Sequence, residues 1–450
     1  MTMTTYRLYS LSLMIGLAIL AITKGDSCRK DASGSPPNIV LILIDDIGYN
    51  DLGCYGNDLI PTPNIDKLAA GGMRMTDFHT NGAVCSPTRA ALLTGQYQQR
   101  SGVESAIGFT KDEGMPLGKT TIAEALARAG YKSGVFGKWH VGHVSRFGPN
   151  DQGFDWSVVS NNSPDYHTHV SRVGEIDWFK NQELYDEPGY LTDLVTRHTI
   201  EFIEENHDQP FFTFVSHVAC HFPFQGPDDP PHRQVGKIWH DTKYGPLPEE
   251  EYKRAYRDML MAVDESVGET VATLERLGLR ENTILFITSD NGAYSWVGSN
   301  APYRGQKGDL FEGGHRVPAI VNWPGHVPAG SLSDATAMTM DLLPTFLQIA
   351  GVAQPDDVEF DGIDLSSVWL ENKGLPERTL FWRFNNLYTK KEAMAVREGK
   401  WKYVEKEKKQ FLFNLQEDPG EKANLAAGHP EMVDSLRRQF KNWEQKVAEN

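Results

Sequence analysis

What most constrains the fold of this 450-residue chain is a repeated pairing of a short apolar run with a burst of polar chemistry. The run at 38–44 is rich in Ile, Leu and Val and stops at Asp45-Asp46. Similar runs at 131–136, 211–215 and 283–288 lead into Gly137-Lys138-Trp139-His140, into His217 and His221-Phe222-Pro223, and into Ser289-Asp290-Asn291-Gly292. A fifth, at 317–323, is closed by Pro324-Gly325. Runs this short and apolar are expected to be strands buried on both faces of a parallel sheet. Helical patterns lie between them at 121–129, where Thr121 and Glu124 are placed for a capping box, and at 191–205, 249–277 and 341–350. The alternation predicts an α/β fold, a mainly parallel central sheet sandwiched by helices. Ligands of such sheets bind beyond the carboxyl ends of the strands. The polar bursts would therefore meet in one crevice, bringing together Asp45, Asp46, Lys138, His140, His221, Asp290 and Asn291.

From about residue 377 the texture changes to short strand-like pieces at 380–384, 392–397, 401–404 and 411–415, then an amphipathic helical pattern at 430–447. A small subdomain over 376–450 is expected to follow a main body over 36–375. The charge-rich stretch 400–409 reads as a solvated hairpin. A net charge of −16, with no basic run to offset it, argues against nucleic acid as a partner. At the N-terminus, Arg7 precedes an apolar run at 11–22 that falls short of the roughly 20 residues of a membrane span. It reads as a signal peptide over 1–25, with a membrane anchor as the alternative. Export to the periplasm or the medium follows, with no stable membrane span after cleavage. Four cysteines, Cys28, Cys54, Cys85 and Cys220, are too few for a disulfide framework in a chain this long.

Asp45, Asp46, Asp290 and Asn291 offer only oxygen ligands, which suit Ca²⁺ or Mg²⁺ rather than zinc. Either pair alone would pass for an ordinary turn, but two pairs each ending an apolar strand point to a metal. Cys85 lies just before a predicted helix, with Pro87 in its first turn and good helix formers from Ala90 to Leu93. The positive helix end and Arg89, one turn further, are expected to lower the thiol pKa. A buried structural cysteine is the competing reading.

Cys85-x-Pro87-x-Arg89, followed by Ala90-x-Leu92-x-Thr94-Gly95, resembles the signature of the formylglycine-dependent sulfatases, arylsulfatase-like members of the alkaline phosphatase superfamily. Gly137-Lys138-Trp139-His140-Val141-Gly142, His221-Phe222-Pro223, and Arg304-Gly305-Gln306-Lys307-Gly308 with Glu312-Gly313-Gly314 resemble further motifs of that family, in its order. The resemblance implies an alkaline-phosphatase-like body and a C-terminal antiparallel sheet with one helix. It implies that a maturation enzyme oxidises Cys85 to formylglycine. It also implies a calcium ion held by Asp45, Asp46, Asp290, Asn291 and an oxygen of residue 85; Mg²⁺, smaller and stricter in geometry, suits the set less well. One hydroxyl of the hydrated aldehyde would attack sulfur while Arg89, Lys138 and Lys307 neutralise charge. His221 would protonate the leaving oxygen, and His140 would take the proton of the second hydroxyl and expel sulfate.

The segment 157–172 would shape the substrate pocket, with Ser163 and Asp165 as candidates, whereas His217 is off the family register and reads as a core or supporting histidine. Trp139, Trp156, Trp178, Trp239 and Trp296 are candidate stacking surfaces for a sugar. The expected function is hydrolysis of a sulfate ester on a sulfated sugar or polysaccharide. Two other readings remain open. A phosphatase or phosphonate monoester hydrolase of the superfamily would often carry Thr or Ser as nucleophile and a second metal. A non-catalytic carbohydrate-binding protein on the same fold would lack a catalytic residue.

Overall fold

The strand Asn38–Ile44 is the axis of the molecule, and all seven of its side chains are buried. It runs parallel to Phe211–Ser216 on one side and to Thr283–Ser289 on the other. Lys132–Lys138 and Trp156–Ser160 continue the parallel block beyond Phe211–Ser216. The computed structural model describes residues 35–108, 112–239, 248–355, 358–386 and 391–448; the expected signal peptide and Cys28 lie outside them. Side chains of a strand alternate between faces, and two cores result. Ile39, Leu41 and Leu43 pack with Leu92, Leu126 and Phe346, from the helices Cys85–Thr94, Ile122–Ala127 and Leu342–Ala350. Val40, Ile42 and Ile44 pack with Leu68, Leu194 and Val263, from Pro63–Ala70, Leu191–Glu205 and Glu249–Arg276. Helices thus cover both faces, as the sequence pattern predicts. The fifth run differs in direction: Ala319–Asn322 pairs antiparallel with Thr283–Ser289 at the sheet's other flank. The sheet reaches ten strands.

Register sets the depth at which each strand delivers its polar end. Ile44 pairs with Ser289, so Asp45-Asp46 and Asp290-Asn291 leave the sheet side by side at the same level. Leu43 and Gly137 both pair with Ser216, which brings Lys138 in alongside. Gly137 is required there: at φ 106° it approaches the neighbouring strand so closely that a Cβ would lie 2.0 Å from the Ser216 carbonyl oxygen. The expected capping box at Thr121 and Glu124 is present.

Four strands, Thr379–Asn386, Lys391–Glu398, Trp401–Lys406 and Lys409–Asn414, form a consecutive antiparallel sheet, and Pro430–Ala448 lies against it through Leu436, Phe440 and Trp443. The boundary expected near 375 falls inside one compact unit that begins at Pro36. The third core explains why: Trp382, Tyr403 and Leu412 pack with Ala91, Phe311 and Met338 of the main body. Ala91 belongs to the Cys85–Thr94 helix, whose ten residues are all buried. That helix is wedged between the large sheet and the small one, which fixes its position from two sides. The stretch 400–409 is not simply solvated: Lys402 is fully buried. Among the described residues no helix is long and apolar enough to cross a membrane.

Candidate active site

Cys85 begins its helix rather than preceding it, capped by Val84 in extended conformation, and is 2% exposed. Its Sγ lies 3.4 Å from Lys307 Nζ, 3.5 Å from Lys138 Nζ and 3.7 Å from Asp45 Oδ1. Despite the two ammonium groups the thiol pKa is pushed up to about 12, first by burial and then by the Asp45 carboxylate, with the lysines opposing. The expected lowering is therefore corrected. The second reason is where Arg89 points: Nε and Nη2 bond Asp290 Oδ2 at 3.1 and 2.9 Å, Nη2 also reaches Asp45 Oδ2 at 3.3 Å, and Nη1 bonds Ser216 Oγ and the Lys138 carbonyl. Its charge holds the carboxylates in place from behind.

Three carboxylates, Asp45, Asp46 and Asp290, are matched one for one by Arg89, Lys138 and Lys307. Lys138 bonds Asp45, and Lys307 bonds Asp46 at 2.5 Å. Burial opposes the Lys307 charge, but Asp46 and the residues around it outweigh that and hold its pKa well above the ordinary value. Burial and the neighbouring Asp45 push Asp290 the other way from an ordinary ion-paired carboxylate, raising its pKa in spite of Arg89. Two buried oxygens in this cluster have no partner, Asp46 Oδ2 and Asn291 Oδ1. Unpartnered buried acceptors are costly, and a cation is the partner that oxygen-only donors of this kind fit. Asp45, Asp46, Cys85 and His221 each bring one ligand atom within 4.8 Å of the others. Asp46 sits at φ 60° and His140 at φ 56°, a left-handed conformation uncommon outside glycine, and such strain gathers at functional sites.

The two histidines are held in different states of readiness. His140 Nε2 is 3.0 Å from the Ile107 carbonyl, which only accepts, so the ring hydrogen is at Nε2. Burial, then Lys138 and Arg89, hold its pKa well below the usual value, and Nδ1, buried and unpartnered, keeps its lone pair. His221 is the reverse: Nδ1 donates to the Phe222 carbonyl at 2.6 Å, and Nε2 lies 3.8 Å from Asp46 Oδ2. Burial, followed by Lys138 and Lys307, lowers its pKa as well.

The remaining candidates separate clearly. Asp165 is fully buried and spends both oxygens on backbone amides, Oδ1 on His167 and Thr168, Oδ2 on His232 and Arg233. It holds its loop together. Ser163 anchors Arg233 through its carbonyl at 2.7 Å, while its hydroxyl is buried and unpartnered. His217 is a core histidine bonded to Ser266. Trp139 and Trp178 are fully buried and present no stacking surface. Sequence reasoning missed Ser216, which bridges Arg89 and the Lys138 carbonyl, and Asp51, which accepts from Gly48, Ser299 and Tyr256 and braces the loop after Asp46. A serine ending a strand and an aspartate in a loop carry no distinctive spacing. The Ile107 carbonyl leaves no trace in side-chain identity at all.

Cys85, buried beside two lysines and close to His221, adjoins an oxygen-rich cluster at the carboxyl edge of an α/β sheet, an arrangement suited to an oxyanion. The family model described as Sulfatase matches residues 37–352, and one described as N-sulphoglucosamine sulphohydrolase, C-terminal, matches 306–447. N-acetylgalactosamine-6-sulfatase of Mus musculus is 33% identical over 466 residues, covering 90% of this chain and 84% of its own. Arylsulfatase A of Homo sapiens is 32% identical over 463 residues, covering 90% and 87%. The crystal structure of Ps i-CgsB in complex with k-i-k-neocarrahexaose superposes with a TM-score of 0.82 at 28% identity, covering 91% of this chain and 93% of that one. The chain belongs to the sulfatase family, of the alkaline phosphatase superfamily, and is a sulfuric ester hydrolase.

Proposed function

We propose that the chain removes sulfate from a sulfated sugar or polysaccharide, using formylglycine made from Cys85 by a maturation enzyme and a calcium ion held by Asp45, Asp46, Asp290, Asn291 and an oxygen of residue 85. The observation that carries this reading is the convergence on Cys85 of Lys138, Lys307 and a carboxylate cage with two unpartnered oxygens. The cysteine Sγ stands where the modified residue would place an oxygen. A hydrated aldehyde supplies a nucleophilic hydroxyl and a second hydroxyl whose deprotonation restores the aldehyde without attack by water. The cation, when bound, adds positive charge to a cluster already balanced by its own side chains, so the site attracts an anion and polarises it.

Lys138 and Lys307 orient the sulfate group over residue 85. His221 holds a proton at Nε2 for the leaving oxygen once the sulfate charge has offset the lysines that depress its pKa. His140, with its lone pair fixed at Nδ1 by the Ile107 carbonyl, receives the proton of the second hydroxyl. Ser163 Oγ, buried and unpaired, is kept as a contact for a substrate oxygen. A carbohydrate substrate is supported by relatives whose names specify N-acetylgalactosamine-6-sulfate hydrolysis and by the neocarrahexaose bound in Ps i-CgsB. Export behind the leader at 1–25 belongs to the same reading.

The test combines three measurements on protein made with a maturation system. Peptide mass spectrometry should find formylglycine at position 85, metal analysis should find calcium, and a panel of defined sulfated oligosaccharides should identify a desulfated product. Full activity with an unmodified thiol, or after exhaustive chelation, would remove that component from the mechanism.

A further inference from the structure

We propose that Glu421, in the C-terminal subdomain, is a positioning residue for Lys307: it grips both ends of the loop that carries this lysine to residue 85. The inference rests on the reading that Lys307 faces the sulfate group. Glu421 is fully buried and sits at φ 52°, in the left-handed region. Its Oε2 accepts the Glu312 backbone N–H at 2.6 Å, and its own carbonyl accepts from Arg304 Nη1 at 2.9 Å. Lys402, from the same subdomain, bridges Glu421 Oε1 at 3.0 Å and Glu312 Oε1 at 2.8 Å. One buried residue therefore binds the first and last positions of segment 304–312.

Between those two anchors the segment is folded tightly against the catalytic body. Gly313 N–H closes it on the Arg304 carbonyl at 2.7 Å. Lys307 N–H bonds the Ala293 carbonyl at 3.2 Å and Gly308 N–H the Ala83 carbonyl at 2.8 Å, beside Cys85. The Lys307 ammonium then spans from Asp46 to Cys85 Sγ. The turn that follows also abuts the oxygen cage: Gly292, next to Asn291, donates to the Gly314 carbonyl at 3.0 Å, and a Cβ at Gly292 would lie 2.0 Å from the Gly313 oxygen. A shift of segment 304–312 would draw the Lys307 ammonium away from Cys85 Sγ.

The same cluster does not have the form of a second metal site, although His79, Glu312 and His315 approach one another closely. The ring nitrogens are already taken: Nδ1 of each bonds the other at 3.0 Å, Asp77 and Arg397 occupy His79 Nε2, and Lys402 occupies His315 Nε2. What the cluster does have is a buried acid in the left-handed region whose carboxylate and carbonyl contacts end on the Lys307 segment or on the lysine that ties it there.

A misplacement of about 1 Å in a catalytic group costs on the order of 100-fold. Glu421→Ala should therefore lower kcat/KM on an aryl sulfate about 10- to 100-fold. Glu421→Gln, which still accepts the Glu312 N–H, should restore it to within about threefold. The decisive readout is a cycle with Lys307→Ala: the double variant should fall no more than about twofold below Lys307→Ala alone, because both losses pass through one ammonium group. Losses that multiply, or wild-type kinetics in Glu421→Ala, overturn the proposal. If Glu421→Ala does not fold, the cycle is run with Arg304→Met, which removes the other grip and leaves the buried charges in place; multiplying losses there overturn it equally. Should the matured wild-type protein desulfate nothing, the functional reading fails first. Hydrogen exchange then decides the anchoring: Arg304→Met should raise exchange in 304–316 alone while Glu421→Gln leaves it near wild type, and unchanged exchange in Arg304→Met overturns it.

Discussion

Two clusters of buried charge, one at the carboxyl edge of the large sheet and one beneath the small sheet, are similar in composition and differ in how fully their polar atoms are paired. Under the small sheet, Asp77 faces Arg397 at 2.6 Å and Arg316 at 3.2 Å, and Lys402 faces Glu312 and Glu421 at 2.8 and 3.0 Å. Burial would raise the pKa of both Asp77 and Glu312, yet the cations around them hold each well below the ordinary range. At the catalytic edge the charges also balance, but Asp290 stays raised and Asp46 Oδ2, Asn291 Oδ1 and His140 Nδ1 remain without partners. An unpartnered buried polar group costs about 1–3 kcal/mol. Beneath the small sheet Glu421 is raised too, and its unpartnered Oε1 has the Lys402 ammonium 3.0 Å away, so the contrast is one of degree: three unpartnered atoms at the catalytic edge against one there. The difference between the two clusters lies in how many polar atoms remain unpaired, since both are buried.

The sharpest break in this comparison comes at Cys85. Cys85→Ala should abolish turnover by at least about 10⁴-fold, since the nucleophile is lost, while costing about 1 kcal/mol of stability or less. Steady-state kinetics and denaturant unfolding on one preparation check both halves. A variant that loses stability in proportion to activity would make Cys85 a structural cysteine.

The histidines come next, because their hydrogen bonds engage different ring nitrogens and the proposed cycle gives them different halves. His221→Ala should cost about 10²–10⁴-fold on a sugar sulfate and much less on an activated aryl sulfate, whose leaving group needs little protonation. His140→Ala should be slow whatever the leaving group, and should accumulate sulfate on residue 85, seen as a mass gain by intact mass spectrometry after a burst of released alcohol. Sulfated enzyme in His221→Ala alone would reverse the assignment.

The satisfied cluster should answer in the other currency, stability. Lys402→Met leaves Glu312 and Glu421 buried without their shared cation, and breaking a buried pair in this way costs about 3–5 kcal/mol. Urea unfolding of variant and wild type measures it. A cost near zero would mean that the cluster is as poorly satisfied as the catalytic one, and the contrast between the two would fail.

These two clusters also mark how far the sequence could be read. The catalytic edge was legible because each strand is a short apolar run and its polar residues come immediately after it, so topology alone gathers Asp45, Lys138, His221 and Asp290. The C-terminal sheet was legible as short strands, but Lys402 was not, because Lys400, Lys402, Lys406 and Lys409 look alike until the fold brings Glu312 and Glu421 to Lys402. The thiol shift was misjudged for a related reason. The helix end and Arg89 are local in sequence, whereas the burial and the Asp45 carboxylate that win are contributed by a strand 40 residues away. The amide-capping role of Asp165 was hidden because an acid that caps backbone amides and an acid that meets a substrate are the same letter in a loop.

The smallest effect is a pH dependence confined to the satisfied cluster. Burial foremost, with the Glu312 charge adding and Lys402 opposing, pushes the Glu421 pKa up from 4.5 to about 7. The folded protein then retains a proton between those values that the unfolded chain has released, so stability falls as pH rises through this window. The contribution is complete below about 4.5 and gone above about 7. The groups facing Glu421 are Lys402, which also reaches Glu312 and His315, and the Arg304 guanidinium on its carbonyl. Glu421→Gln imitates the protonated acid at every pH and should remove this slope. Melting temperatures of the two proteins at pH 5 and pH 8 should therefore show wild type falling relative to the variant at the higher pH. An equal slope in both would mean that Glu421 is ionised throughout, held so by Lys402, and that the strained turn at φ 52° is sustained by a full ion pair instead of a neutral hydrogen bond.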